Sequence, residues 1–342
     1  MNIDVYDFFS GCGGTSCGFR DAGFNIKMGL DIDHDSAETF KLNFPEAHFI
    51  EADIREIEPS EISSIIRREN PILFSGCAPC QPFSKQNRHQ QENDKRLNLL
   101  DEFGRFVKHW LPEYVFIENV PGMQVKAAKS KTFSRFTNLL TELGYSYSTD
   151  VVEAQWYGVP QKRRRLILIA SLRETAVMPA QSHGTNGVPH STVREWISDL
   201  PVLEHGESDP RDSDHFSMRL SEKNLERIKL TPEGGGREHW PERLVLDCHK
   251  GYEGHVDVYG RLSWDKPAVG LTTKCISYSN GRFGHPVQNR AISLREAACL
   301  QTFPRDFKFI GSKSSRARQV GNAVPPLMAR SVGNAIKSKV FK

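Results

Sequence analysis

The sequence predicts a doubly wound α/β fold with a mostly parallel sheet, joined to a smaller, irregular domain. Three observations carry this. Over the first 120 residues, short apolar runs alternate with amphipathic stretches, the pattern of successive β-α units. A continuous apolar run, Leu166–Ala170, reads as a strand buried on both faces, as in a parallel sheet. From about residue 178 this rhythm stops: Gly, Pro, His and Ser become frequent, and eight of the twelve histidines lie between His183 and His285.

In chain order, strands are predicted at Val5–Phe9, Ile26–Leu30, His48–Glu51, Ile72–Ser75 and Tyr114–Ile117. Leu100, Phe103, Phe106, Val107 and Trp110 recur at helical spacing, as do Phe133, Phe136, Leu140 and Leu143, so each set predicts a helix with one apolar face. The strand–helix rhythm returns near Leu294, and residues 314–342 are helical in pattern and basic at their end. The charge balance, 45 basic against 42 acidic residues, permits a polyanionic partner without demanding one. No stretch approaches the roughly 18 apolar residues of a membrane span and no signal peptide is read. Seven irregularly spaced cysteines fit a reducing, cytoplasmic location.

Position is more informative than composition. Asp7–Gly14, Asp31, Asp53, Cys80 and Glu118 each lie at or just after the carboxyl end of a different predicted strand, the edge along which open α/β sheets bind ligands. The run Asp7–Phe19, DFFSGCGGTSCGF, is a strand entering a glycine-rich turn and a helix, and Asp31 ends the next strand, where a carboxylate can accept from ribose hydroxyls. Alone this suits a nucleotide cofactor or a turn without a ligand. The glycine spacing departs from G-x-G-x-x-G, which argues against a dinucleotide.

Gly76–Ser84, GCAPCQPFS, contains Cys77-x-x-Cys80. Zinc would need two more ligands at matched spacing, and a redox pair would open directly into a helix, so no metal site is expected. An inert buried pair and a thiolate nucleophile on a loop are the readings left open, the second needing an acid or base beside it. Glu118, after Tyr-Val-Phe-Ile, ends the adjacent strand; desolvation there favours the protonated carboxyl, which can donate a proton.

FSGCGG, GCAPCQPFS, ENV (Glu118–Val120), QWYGVPQKRRR (Gln155–Arg165), REAACLQTFP (Arg295–Pro304) and RQVGNAVPP (Arg318–Pro326) occur in one order along nearly the whole chain. With these segments the sequence resembles the cytosine-5 DNA methyltransferases of the bacterial restriction–modification type. The resemblance implies a Rossmann-like, S-adenosylmethionine-dependent enzyme that methylates carbon 5 of a cytosine flipped out of duplex DNA and releases S-adenosylhomocysteine. A monomer is expected, with a cognate restriction endonuclease acting separately and no membrane partner. Residues 1–178 would form the catalytic and cofactor domain, 179–311 the target-recognition domain, and 312–342 a segment returning to the first.

Carried over by position, the resemblance makes Cys80 the nucleophile and Glu118 the proton donor. Arg165 would reach the cytosine carbonyl and Arg163 would support the loop, both on one face of a strand beginning there. Phe9, Gly11, Cys12, Gly13 and Gly14 match the methionine loop, Asp31 the ribose acid, Ile32 the adenine face, and Asp53 with Ile54 the adenine edge. Pro79, Leu99 and Asn322 match further cofactor contacts. Asp31 stands where glutamate is commoner, and Ile32 where an aromatic is frequent. Ser84, Lys85 and Arg88, on a polar lid, and Gln161 are expected to meet nucleic acid, as are basic residues of the second lobe such as Arg194, Arg211, Arg227, Arg261 and Arg282. A tRNA cytosine methyltransferase with the same chemistry is the alternative; a redox enzyme would leave Glu118 and the Q-x-R-x-R segment without a use.

Overall fold

The structure, a computed structural model, describes residues 2–78, 98–121, 132–250, 254 and 256–340. They divide into two compact units: residues 1–157, 164–181 and 323–342, and residues 158–163 with 182–322. Two stretches expected in or beside the first unit, 158–163 and 312–322, therefore group with the second.

The first unit is built on a seven-stranded sheet. Its strands are β1 (Asp4–Phe8), β2 (Asn25–Asp31), β3 (His48–Glu51), β4 (Ile72–Gly76), β5 (Tyr114–Asn119), β6 (Ser146–Glu153) and β8 (Arg164–Ser171), in the order β3-β2-β1-β4-β5-β8-β6. The pairs β1–β2, β2–β3, β1–β4 and β4–β5 are parallel. β8 is antiparallel to both neighbours, β5 and β6, which corrects the parallel reading of its apolar run. That run reports burial on both faces, not strand direction. The link from β6 to β8 is ten residues holding a 3-10 turn, Ala154–Tyr157, and the two-residue strand Gln161–Lys162 but no α-helix, and a connection of this kind suits an antiparallel pair better than a helical crossover.

Helices cover both faces. Tyr6, Phe8 and Phe74 on β1 and β4 meet Phe103, Phe106 and Val107 of α3 (Leu99–Trp110) and, beyond it, Phe136 and Leu140 of α4 (Thr132–Glu142); the Phe8 ring lies 5.3 Å from Phe103. On the other face α1 (Gly14–Asp21) sets Phe19 edge-on to Phe116 at 5.5 Å. There it packs against the last helix of the chain, α9 (Pro326–Val340): a side chain at Gly18 would strike Pro326 O at 2.2 Å. α2 (His34–Asn43) opens with Asp33, whose carboxylate accepts from the Ser36 N–H at 3.0 Å, an N-cap.

The second unit has little regular structure. It holds α5 (Val193–Ile197), α6 (Glu222–Leu230), α7 (Leu294–Leu300), α8 (Lys313–Asn322) and a two-residue pair, β7 (Gln161–Lys162) with β9 (Ala268–Val269). Buried arginines tie its loops. Arg261 donates to the carbonyls of Thr231, Ile228 and His285, and Arg290 pairs with Glu296 at 2.7 Å. Among the described residues, no helix is long and apolar enough to cross a membrane.

Candidate active site

β1 sits between β2 and β4, so the strand order reverses there, and the carboxyl ends of β1 and β4 are where open α/β sheets bind their ligands. The β1–β4 register ends at Phe8 opposite Gly76. The turn Phe9–Gly14 and the segment starting at Cys77 thus leave neighbouring strands from the same edge. Phe9, Gly11 and Gly13 all have left-handed φ, of 56°, 51° and 93°, which glycine takes at no steric cost. At Gly13 a Cβ would also lie 2.5 Å from the Phe44 ring. Gly14 begins α1, and Cys12 is buried, with its thiol pushed upward by desolvation, so it is no nucleophile at neutral pH.

Asp31 ends β2, half-buried. Its Oδ2 accepts from the Gly11 N–H at 2.8 Å and its Oδ1 from the Asp33 N–H at 3.0 Å; desolvation raises its pKa against these donors. The carboxylate thereby locks the glycine turn to β2. Ile32, next along, exposes 66% of its surface, an open apolar face at the sheet edge. Asp53 starts a 3-10 turn and is bound by the Arg55 guanidinium, which lowers its pKa. Ile54 is 2% exposed, its side chain part of the core and its carbonyl accepting from Arg105, so the expected contact with an adenine edge is corrected to a buried core position. Leu99 is the first residue of α3 and is buried. Asn322 ends α8 of the second unit, exposed.

Glu118 lies on β5, 7% exposed. Its antiparallel partner is Ile167, which puts Arg165, two residues away on β8, on the same face. Arg165 Nε is 2.6 Å from Glu118 Oε1, an ion pair without an aligned hydrogen bond, since Oε1 accepts none. Asn119, the next residue, donates from Nδ2 to Ala78 O at 3.0 Å, while its Oδ1 accepts from the Val120 N–H at 2.9 Å. It fastens the segment after β4 to the end of β5. The ENV motif contained Asn119, yet nothing in the sequence told its role apart from that of its neighbours. Pro79, Cys80, Ser84, Lys85 and Arg88 lie outside the described residues.

The Q-x-R-x-R segment is divided differently from the expectation. β8 begins at Arg164, so Arg163 is not on the strand with Arg165. Arg163 belongs to the second unit, 4% exposed, and donates to the carbonyls of Leu271 and Gly321 at 2.9 and 3.0 Å. Gln161 is fully buried; its amide nitrogen donates to Leu300 O and Gln301, and its oxygen accepts from the Leu271 N–H. It has no surface to offer a nucleic acid, and the expected contact is corrected to a buried clamp. Several second-lobe arginines are likewise engaged within their own unit: Arg227 and Arg261 are buried, and Arg194, Arg211 and Arg282 are paired with Asp265, Asp209 and Asp257.

A mostly parallel seven-stranded sheet with a glycine turn after its first strand and an acid at the end of its second is the Rossmann-like architecture of methyltransferases. The chain belongs to the C-5 cytosine-specific DNA methylase family, whose sequence model matches residues 3–338, and it is a DNA (cytosine-5) methyltransferase that draws on a methyl donor. It is 38% identical to the type II methylase M.HgiDII of Herpetosiphon aurantiacus, over 97% of this chain and 94% of that one. It is 33% identical to the type II methyltransferase M1.HphI of Haemophilus parahaemolyticus, over 98% and 87%. Among solved structures, a prophage-encoded DNA modification methyltransferase of E. coli superposes over 100% of both chains with TM-score 0.80 at 23% identity, a likeness of fold.

Proposed function

We propose that the chain methylates a specific duplex sequence with S-adenosylmethionine as donor, in the manner of the type II enzymes it resembles, with a separate endonuclease cutting the unmodified site. The observation that carries this is the pair of buried Glu118 and half-buried Arg165 on β5 and β8, next to Asn119, which anchors the segment that leads in sequence to Cys80. The residues of the β1 turn fit the donor: Gly11 and Gly13 take conformations that bring backbone close to a ligand, the Asp31 carboxylate faces the turn, and Ile32 is open for an adenine.

In this reading Cys80 adds to carbon 6 of the flipped cytosine, and Glu118 places a proton on ring nitrogen 3. The electron pair displaced by the thiolate then makes carbon 5 nucleophilic, which it is not while the ring is aromatic. When bound, S-adenosylmethionine supplies an electrophilic methyl group for that carbon. Loss of the carbon-5 proton to water, departure of the Cys80 thiolate and return of the nitrogen-3 proton to Glu118 restore the ring. Arg165 holds Glu118 and reaches the cytosine carbonyl, so its charge serves both groups.

The test is methyl transfer from labelled donor to duplex DNA or to tRNA. Wild type should label DNA alone. Cys80→Ser should lose transfer, and Glu118→Gln should lose on the order of 10²–10⁴-fold, the range for a general acid. Label in tRNA only, or full activity in Cys80→Ser, would sink the proposal.

A further inference from the structure

β3 is an edge strand of the seven-stranded sheet, with three strands between it and β5, which carries Glu118. Its last residue, Glu51, is paired in register with Asp31 of β2, and three residues after Asp31 the chain begins α2. The first turn of α2 therefore lies against the end of β3. His34 and Glu38, four residues apart, share one face of the helix. With Glu51 they bring one donor atom each within 4.8 Å of one another, the one such group of His, Cys, Asp or Glu among the described residues. His34 Nδ1 stands 2.8 Å from Glu51 Oε1. Lys41, further along α2, sets Nζ 2.9 Å from Glu38 Oε1 and 3.7 Å from Glu51 Oε2, so an ammonium bridges the two carboxylates.

The backbone beneath these side chains is fastened on both elements. Asp33 caps α2, and its own N–H donates to Asp31 Oδ1 at 3.0 Å. Ala52, directly after Glu51, donates its N–H to the Asp31 carbonyl at 3.1 Å. Ligands bound to a metal at about 2.0–2.2 Å stand roughly 3–3.5 Å apart in a tetrahedral site. Rotation of the side chains can close the remaining gap, because His34 and Glu51 are exposed and Glu38 is half-buried.

We propose that His34, Glu38 and Glu51 form a binding site for one divalent ion of the zinc, cobalt or nickel kind, independent of the donor and DNA readings. One imidazole nitrogen with two carboxylate oxygens is a donor set for such ions, whereas magnesium and calcium take oxygen ligands. Water completes the coordination on the open side. Charge favours the ion as well. Asp35 bears on His34 beside the two carboxylate ligands, and a divalent ion answers them better than the single charge of Lys41. Lys41 is the competitor, and once displaced it still has the Phe49 ring, whose centroid is 5.7 Å from Nζ. A bound ion would clasp the end of β3 to the first turn of α2.

The experiment is calorimetric titration of the chelator-stripped full chain with Zn²⁺, and with Mg²⁺ for comparison. Wild type should bind one zinc equivalent that His34→Ala and Glu51→Gln each hold on the order of 100-fold more weakly, since even partners that only orient a ligand cost about 10–100-fold. Zinc taken up by cysteine thiols is common to all variants and cancels in the comparison. Lys41→Met removes the competing ammonium and should tighten the site several-fold, whereas Lys108→Met, exposed on α3, should not. Zinc should also raise the melting temperature of wild type more than that of His34→Ala. Equal zinc affinity in wild type and His34→Ala would put the ion elsewhere and overturns the proposal. No zinc binding by wild type overturns it equally, and Mg²⁺ bound as tightly as Zn²⁺ overturns the role of the imidazole.

Discussion

Arg163 donates to the carbonyls of Leu271 and Gly321, whereas Arg165, two residues on, lies against Glu118. Substitutions at the two positions should therefore fail in different ways. Arg163→Leu leaves two buried carbonyls without their donor, a loss of about 1–3 kcal/mol each, and should lower the urea midpoint markedly. Arg163→Lys should recover only part, because an ammonium cannot span two acceptors with a planar fork. Arg165→Leu strips the cation from the buried Glu118 carboxylate, the proposed proton donor. It should cost methyl transfer on the order of 10²-fold, the loss typical when one stabilising donor is removed, with a smaller change in midpoint. Measuring unfolding and transfer rate on all three variants checks this; equal stability losses at both positions would sink the division of labour.

Helix α1 shows how an element is held by something the local sequence does not display. It is eight residues long, its N-cap is Gly13 with no side chain, and it has no acid in its first turn. Its stability comes instead from packing against α9, where Gly18 lets the backbones approach. Gly18→Ala puts a methyl 2.2 Å from Pro326 O and 2.6 Å from Ala329 Cβ, and backbone cannot yield as a long side chain would. Overpacking costs about 1–3 kcal/mol at ordinary sites, and this one should reach the top of that range, with donor affinity falling alongside the melting temperature because α1 carries the turn. A melting temperature within 1 °C or so of wild type would refute the close approach. The strands β1 to β5 were legible in the sequence because each is an apolar run bounded by a helix or turn. β6, SYSTDVVE, was not: it is an edge strand with mostly exposed or half-buried residues, so it lacks the hydrophobic signal. The direction of β8 was illegible for a different reason, since burial on two faces writes the same apolar run whichever way the strand points. At the site, motif positions located Asp31, Glu118 and the glycine turn, but the burial of Gln161 and the separation of Arg163 from Arg165 depend on contacts more than 100 residues away in sequence.

The chain path makes the first unit depend on its last segment. That unit is assembled from residues 1–157, 164–181 and 323–342, so although its last strand ends at Ser171, its last helix is added only when nearly the whole chain has been made. On α9, Met328, Val332 and Ile336 are buried, Ala22 meets Gly333, and Lys337 Nζ donates to the Ala22 and Gly23 carbonyls. Burying three such apolar side chains is worth about 1.5–3 kcal/mol each. Together they match a large part of the roughly 5–15 kcal/mol that holds a domain folded. Ending the chain at Asn322 should therefore abolish cooperative folding of the first unit and all donor binding, although every strand and the whole β1 turn remain in the sequence. Ending it at Ser338 should leave both nearly unchanged, because the packing residues named above all precede that point. Comparing the two truncations by soluble yield, thermal unfolding and donor titration separates the possibilities. A soluble 1–322 chain that melts at the wild-type temperature would show that α1 and the turn stand without α9.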